Sequence, residues 1–498
     1  MSTVKYANWE DGRRVLYSEF ERDVRKYAPH KLLALLAHVS ASMLEFSGFQ
    51  DSCRTIAPWT ISAIARQSII SSNRSDGLDV DQARFQRMAS LYGRIEVLTG
   101  DKFELHPYFS RTSFEQFPYQ LSGKEYLTRT RSVVLDTPVD IKRMKTKADF
   151  DELLGAPIDD LATSTFILYG IAKVNKGMIT PAQIQELVDG NADRVPSYDS
   201  IMATLDRLSA SIEGARPDAL QAEQFKGGLQ KYGYNPLTRT PFIRVTNDFF
   251  IAPQTFFILR ACTLENFYYL GMRRWPKLFG SDLGHRAEAY TGLQLQHTGE
   301  LEVYPEITWD GKKSIDWFVV TSAVTLLIEC KSARANMDTR VGAASAAPSI
   351  ADKLAWPSQQ IDKTVIEIEN DNPAFDHIPT DLPMVGLIVT AEPLYNGNFA
   401  EVRKLIPEPK IPILSLPIRD LESLATLSPE VLGETLLKIA NDPDLSQWDV
   451  FSSVRELLGK YREEKPNTLL DASYLRHVLP AAQAVELALG SAAHSPIE

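Results

Sequence analysis

Apolar residues recur at helical spacing through most of the first half of the chain. Leu32, Leu33, Leu35, Leu36 and Val39 fall on one face of a helix, and Met43 and Phe46 extend it. Thr180-Pro181-Ala182-Gln183 reads as a capping box with proline at the first helical position, opening a helix over 184–188. Ser197 starts the next, through Ile201, Leu205 and Leu208. Three short helices thus follow closely between about 160 and 210, as in a helix-turn-helix DNA reader or an ordinary packed bundle. Asp76-Gly77 and Thr99-Gly100-Asp101 mark turns. From about 256 the texture changes to strands alternating with helices. Residues 301–307, 315–320, 324–330 and 384–390 are β-rich runs. Residues 341–357, rich in Gly, Ala, Ser and Pro, read as a mobile loop, and 358–368 as a helix. Residues 421–490 return to helix, with the last few frayed. The expected division is a mainly helical recognition or assembly module over 1–255, an α/β core over 256–420 and a helical extension over 421–498.

Composition narrows the function classes. At 498 residues, 44% apolar and 23% charged, the chain should fold into two to four ordinary packed domains. It has no run near the ~18 apolar residues of a membrane span, nor the apolar start of a secretory signal. A cytoplasmic protein is the expectation. Three cysteines (Cys53, Cys262, Cys330) exclude a disulfide framework and four-cysteine metal sites. No P-loop, Gly-x-Ser-x-Gly elbow or His-Glu-x-x-His occurs. The net charge of −11 argues against a surface coated in lysine but leaves room for a local basic groove. The densest basic run, Lys142-Arg143-Met144-Lys145-Thr146-Lys147, reads as a solvated helix start or a phosphate contact.

Carboxylates remain as the candidate chemistry. In 314–331 two apolar strands flank the polar Thr321-Ser322-Ala323, which predicts an antiparallel hairpin. With the turn centred between Ser322 and Ala323, facing residue numbers sum to 645, so Asp316 opposes Glu329. Alternation puts Lys331 on the face of Glu329 and Cys330 on the other. Two carboxylates at such range repel unless one takes a proton or a hard divalent cation, Mg²⁺ or Mn²⁺, lies between them. Lys331 beside them can orient or deprotonate a water and balance charge on a phosphate oxygen. The ordinary alternative is a surface ion pair worth under about 1 kcal/mol. Against it, Leu326-Leu327-Ile328 is apolar on both faces, as in a buried strand. Glu408-Pro409-Lys410 and Glu463-Glu464-Lys465 also match Glu-x-Lys. Proline interrupts the first, and a helical pattern over 450–461 separates Asp449 from the second.

Asp316…Glu329-Cys330-Lys331 on a hairpin resembles the PD-(D/E)XK nuclease superfamily, over about residues 275–420, with Ile315 where the literal proline would stand. The resemblance implies a mixed β-sheet, restriction-endonuclease-like core flanked by helices, within a chain of α/β class. It also implies a Mg²⁺- or Mn²⁺-dependent nuclease with Asp316 and Glu329 as metal ligands and Lys331 as the catalytic lysine. Many members carry a glutamate on the helix before the first core strand. Glu288 fits that place as a third catalytic and metal-binding acid, or is a solvated helix residue. Glu306 on the intervening strand reads as structural. Some members place a glutamine on the following helix, where Gln359, Gln360 and Lys363 lie. Phosphate contacts would come from Arg286, Lys312, Lys313, Arg334 and Arg340. From 271 to 363 acidic and basic residues balance at eleven each, less acidic than the whole chain. The aromatic pairs Phe249-Phe250 and Phe256-Phe257 and the run Phe267-Tyr268-Tyr269 could stack bases or pack a core. The resulting expectation is an endonuclease acting on DNA in prokaryotic anti-phage defence or restriction, with no membrane partner. The N-terminal module would support homo-oligomers or a partner protein. The rivals are an RNA-cleaving enzyme of the same fold and a non-catalytic nucleic-acid-binding or assembly subunit.

Overall fold

Residues 14–43, 56–71, 77–97, 105–120, 123–139, 144–459 and 466–489 are described by a computed structural model. Phe46, Cys53, Asp76, 99–101, Lys142-Arg143, 463–465 and the final residues lie outside them. The fold is mixed α/β, with helices surrounding two mixed sheets.

The smaller sheet belongs to the helical half. Its strands are β1 (Met178–Ile179), β2 (Ser209–Ala210), β3 (Phe242–Thr246) and β4 (Phe249–Ile251), in the order β1-β4-β3-β2. It adjoins the expected helix trio, Leu161–Val174, Pro181–Gly190 and Tyr198–Arg207. Thr180 accepts the Gln183 amide and Gln183 returns the bond to the Thr180 amide, while Ser197 caps its helix through the Ser200 amide. Leu168, Ile171, Ile184, Leu187, Ile201 and Leu205 bury the inner faces of the trio. The exposed side of its last two helices carries Glu186, Asp189, Asp199 and Asp206, a face unsuited to a phosphate backbone.

The larger sheet is built from β5 (Glu302–Pro305), β8 (Trp317–Val320), β9 (Thr325–Lys331), β10 (Met384–Thr390) and β11 (Ile413–Pro417), in the order β11-β10-β9-β8-β5. Strands β5, β8 and β9 run antiparallel, and β9, β10 and β11 parallel. A separate two-stranded ribbon, β6 (Thr308–Trp309) with β7 (Lys312–Lys313), projects from the β5–β8 connection. The sheet face bearing Val319, Leu326 and Ile328 packs with Leu283, Ala287 and Tyr290 of the Phe279–Gln296 helix. Phe318 and Leu327 on the opposite face pack with Ile361 and Val365 of the Ala346–Glu369 helix. Each such fully buried side chain contributes on the order of 1.5–3 kcal/mol. Sheet and helices together therefore hold the ends of β8 and β9 in place.

The Ala346–Glu369 helix corrects the loop expected over 341–357. It begins well before residue 358 and runs through Pro357. Ile350, Leu354, Pro357, Ile361, Val365 and Ile368 recur every three or four residues, and all are buried. That stripe against the sheet outweighs the one hydrogen bond lost at Pro357. Strand β11, with five consecutive buried residues, was not expected from the pattern at all. Phe250, Phe256, Phe257 and Phe267 are buried in cores, whereas Tyr269 is exposed. In the basic run, Thr146 caps the Lys147–Leu154 helix, Lys147 pairs with Asp159, and Lys145 sits 4.8 Å from the Trp275 ring centre.

Candidate active site

The hairpin sets the site. Trp317, Phe318, Val319 and Val320 pair with Ile328, Leu327, Leu326 and Thr325, in the register expected from the sequence. Thr321 closes the turn: its amide donates to the Val324 carbonyl at 3.1 Å and its hydroxyl accepts the Val324 amide at 3.0 Å. One position beyond the ladder come Asp316 and Glu329, near enough that the Asp316 charge acts on Glu329. Asp316 Oδ2 accepts the Cys330 amide at 2.7 Å. Glu329 is 1% exposed; its Oε1 accepts from Lys331 Nζ, and its Oε2 is buried with no hydrogen-bond partner.

Burial dominates the electrostatics. It pushes the Asp316 carboxyl up to about 6, with the charge of Glu288 adding and the Cys330 amide and Lys331 opposing. Glu329 is pushed up to about 8, by burial first and then by Asp316, with Lys331 opposing. Both acids thus resist ionisation unless a cation joins them.

Glu288 lies on the Phe279–Gln296 helix, half-exposed, with its Oε2 3.5 Å from His285 Nδ1. Its carbonyl accepts the Trp317 indole N–H at 3.0 Å, which ties the helix to the residue after Asp316. Gly292, one turn on, admits the same indole: a Cβ there would lie 2.1 Å from Trp317 Cζ2. Sequence reasoning missed this Gly–Trp lock. Glu306, a candidate acid read from the sequence as structural, continues the Pro305–Trp317 pairing toward Asp316 from the other strand. Glu306 holds Lys313 Nζ at 2.8 Å, and its charge adds to the upward push on Asp316. The Cys330 thiol belongs to the opposite face, where burial pushes it well up and Thr291 is its hydrogen-bond neighbour.

The structure divides the expected phosphate contacts. Lys312 and Lys313 are exposed on the β6–β7 ribbon, Lys313 near enough to feel the charges of Glu288 and Asp316. Gln359 and Lys363 are exposed on the following helix, with Lys363 Nζ 4.9 Å from the Trp356 ring centre. Gln360 is half-buried, and its Oε1 has no partner. It sits one turn before Thr364, whose hydroxyl accepts the Ile315 amide at 3.2 Å beside Asp316. Three arginines have interior employment instead. Arg286 is buried on Asp282 at 2.5 Å and on the Val134 and Lys145 carbonyls, each at 2.6 Å. Arg334 is buried with its guanidinium 3.6 Å from the Tyr268 ring centre. Arg340 pairs with Glu265 in the interior. Arg286 is not available to a phosphate backbone because Asp282 already answers its charge inside the fold, whereas Arg334 leaves Nε and Nη2 without a partner and Arg340 lines a cleft beside Glu265.

Among the described residues no group of three or more His, Cys, Asp or Glu side chains is gathered closely enough to cage a metal. The arrangement at Asp316 and Glu329 nevertheless suits a hard cation that keeps several waters and takes one or two carboxylates. The donors are oxygens, one of them a buried oxygen without a partner, and a cation beside them offsets the cost of ionising acids that burial pushes up. No protein-family model, curated protein or solved structure matches this chain.

Proposed function

We propose that this chain is a metal-dependent nuclease of the PD-(D/E)XK type, hydrolysing phosphodiester bonds in DNA, in a setting of restriction or anti-phage defence. The observation that carries the reading is the meeting of Asp316, Glu329 and Lys331 at one end of a buried hairpin, with Glu329 Oε2 unpartnered. Buried acids that repel one another cost stability, and a structural ion pair would not require two of them. Perturbed carboxyls beside a lysine are the mark of a chemical site.

Asp316 and Glu329 would hold Mg²⁺ or Mn²⁺, with Glu288 approaching from the helix. When bound, the cation supplies Lewis-acid stabilisation of the charge that builds on the phosphate. The Cys330 amide fixes the orientation of Asp316. Lys331, held by Glu329, positions a water oxygen toward phosphorus and offsets negative charge on a non-bridging oxygen. The water oxygen bonds to phosphorus as the phosphorus–sugar oxygen bond breaks, and the proton given up by the attacking water is balanced by one taken from solvent by the departing sugar oxygen. Lys312 and Lys313 on the exposed ribbon meet the flanking backbone.

The test is incubation of the purified chain with plasmid, linear and single-stranded DNA and with RNA, in Mg²⁺, Mn²⁺ or chelator. Cleavage of DNA in the divalent cation, abolished by chelator and by Asp316→Ala and Lys331→Ala in folded protein, is the expected result. Cleavage undiminished in both variants would move the chemistry elsewhere. RNA cleavage alone would change the substrate, and binding without metal-dependent cleavage would make the chain an assembly subunit.

A further inference from the structure

Two adjoining clefts, with cavities of about 60 and 110 Å³, open among the N-terminal helices, the first reaching the ends of β10 and β11, and share Phe114, Arg260 and Arg340 in their walls. Their charge is opposite to that of the molecule. Arg66, Arg111 and Lys231 line one, Arg129 and Arg419 the other, and Arg260 and Arg340 both. Glu115, Glu265 and Glu392 answer them in the lining, and Glu422 and Asp420 from outside it pair with Arg129 and Arg419, within a chain of net charge −11. Burial pushes Glu392 up to about 7 and raises Glu115, whereas Glu265, despite its burial, is held down by Arg340 and Arg260.

Some of these cations are incompletely satisfied. Arg111 is 6% exposed, packs against the Tyr108 and Tyr232 rings, and its Nη1 has no hydrogen-bond partner. Arg419 pairs with Asp420 but leaves Nη1 without a partner, and Arg66 leaves Nε so while its other nitrogens hold three carbonyls. A buried guanidinium N–H without an acceptor is costly, and an anion entering the cleft supplies one. The lining also carries aromatic rings, Trp59, Tyr119 and Tyr232 in one cleft, Tyr126 and Tyr395 in the other and Phe114 in both, among small and polar side chains.

We propose that this joined cleft is a binding site for a nucleoside phosphate. Its guanidinium groups take the phosphate and its aromatic rings the base. The site is separate from the Asp316–Glu329 pair yet adjoins it. Glu392 follows Ala391, whose amide donates to the Lys331 carbonyl at 2.9 Å. Occupancy of the cleft thus bears on the strand end that carries the lysine. The binding assignment itself does not depend on the nuclease reading.

Calorimetric titration of the full chain carrying Asp316→Asn, in chelator, tests it without hydrolysis or metal-held phosphate. The probes are purine and pyrimidine nucleoside 5′-mono- and triphosphates, with adenosine, inorganic phosphate and a single-stranded oligonucleotide alongside. At least one nucleotide should bind about tenfold or more tightly than adenosine or phosphate. Arg111→Gln and Lys231→Gln should each weaken it by about tenfold or more, with the melting temperature retained in at least one. No nucleotide binding at millimolar concentration, or binding unchanged in both variants, overturns the proposal. Phosphate binding as tightly as any nucleotide reduces the cleft to an anion site, and an oligonucleotide displacing every nucleotide makes it part of a strand groove; either result overturns the assignment.

Discussion

The carboxylate of Asp316 accepts the backbone amide of Cys330 at 2.7 Å, so the acid preceding β8 is anchored on the partner strand where the ladder has ended. That anchor holds Asp316 near Glu329, and both are pushed up, to about 6 and about 8. Carboxyls raised in the fold bind protons more tightly folded than unfolded. Their contribution to stability is complete below the ordinary carboxylate range and is lost as pH climbs through their folded values. Without cation, the melting temperature should therefore fall between about pH 5 and about pH 8, and Glu329→Gln should flatten that fall. Mg²⁺ should stabilise the parent more at the upper end, by about 2.7 kcal/mol at hundredfold excess over its dissociation constant. Scanning fluorimetry across pH, with and without Mg²⁺, reads both effects; an equally steep fall in Glu329→Gln would remove the buried pair as its cause.

Glu288 acts on Asp316 by charge from the neighbouring helix. Glu288→Gln removes one of the influences holding the Asp316 carboxyl up, so Asp316 should ionise at lower pH. If Glu288 also meets the cation, Mg²⁺ affinity should drop by roughly tenfold to a hundredfold, the range seen for groups that support metal ligands. A cleavage titration against Mg²⁺ at several pH values separates these effects. A lower pH midpoint with unchanged metal requirement would leave Glu288 as an electrostatic neighbour only.

The hairpin was legible because it is locally determined. Four apolar residues on each side of a short polar turn leave few registers, and the alternation that buries Phe318 and Leu327 also places Glu329 with Lys331. The Glu306 position was not legible in the same way. Its pairing with the Asp316 strand spans the β6–β7 ribbon, so no short turn fixes the offset. The start of the Ala346–Glu369 helix was hidden by small residues and Pro357, since the burial that decides it comes from a sheet formed elsewhere in the chain. Arg286 looked like a free cation, yet Asp282 four residues earlier was a visible helical partner. What the pattern could not supply was that the pair is covered by Val134 and Lys145 from a distant segment.

Gly292 and Trp317 provide a test of how the helix is held against the strand. An alanine at 292 meets the indole at 2.1 Å, so Gly292→Ala should destabilise by roughly 1–3 kcal/mol through overpacking. Gly284 lies on the same helix with only the Ser332 hydroxyl 3.7 Å from its would-be Cβ, an ordinary contact. Gly284→Ala should therefore be neutral or stabilise by up to about 1 kcal/mol, the gain expected from helix propensity. Denaturant unfolding of the two variants measures the contrast, and equal effects would mean that the indole does not pack as described.

Arg286 and the ribbon lysines should separate in the same binding experiment, on the reading that the chain engages nucleic acid. Arg286→Ala leaves Asp282 buried with only the Lys145 amide on its Oδ2, and breaking a buried pair in this way costs on the order of 3–5 kcal/mol. It should weaken folding while leaving the salt dependence of DNA binding unchanged in the folded fraction. Lys312→Ala and Lys313→Ala remove exposed charges that pair with Glu367 at 3.8 Å and Glu306 at 2.8 Å. They should leave the fold intact and each reduce the slope of log affinity against log salt by about 1. Fluorescence anisotropy with a labelled duplex at several salt concentrations reads the slope. A slope that falls for Arg286→Ala and not for the lysines would put the phosphate-binding surface on the helix rather than the ribbon.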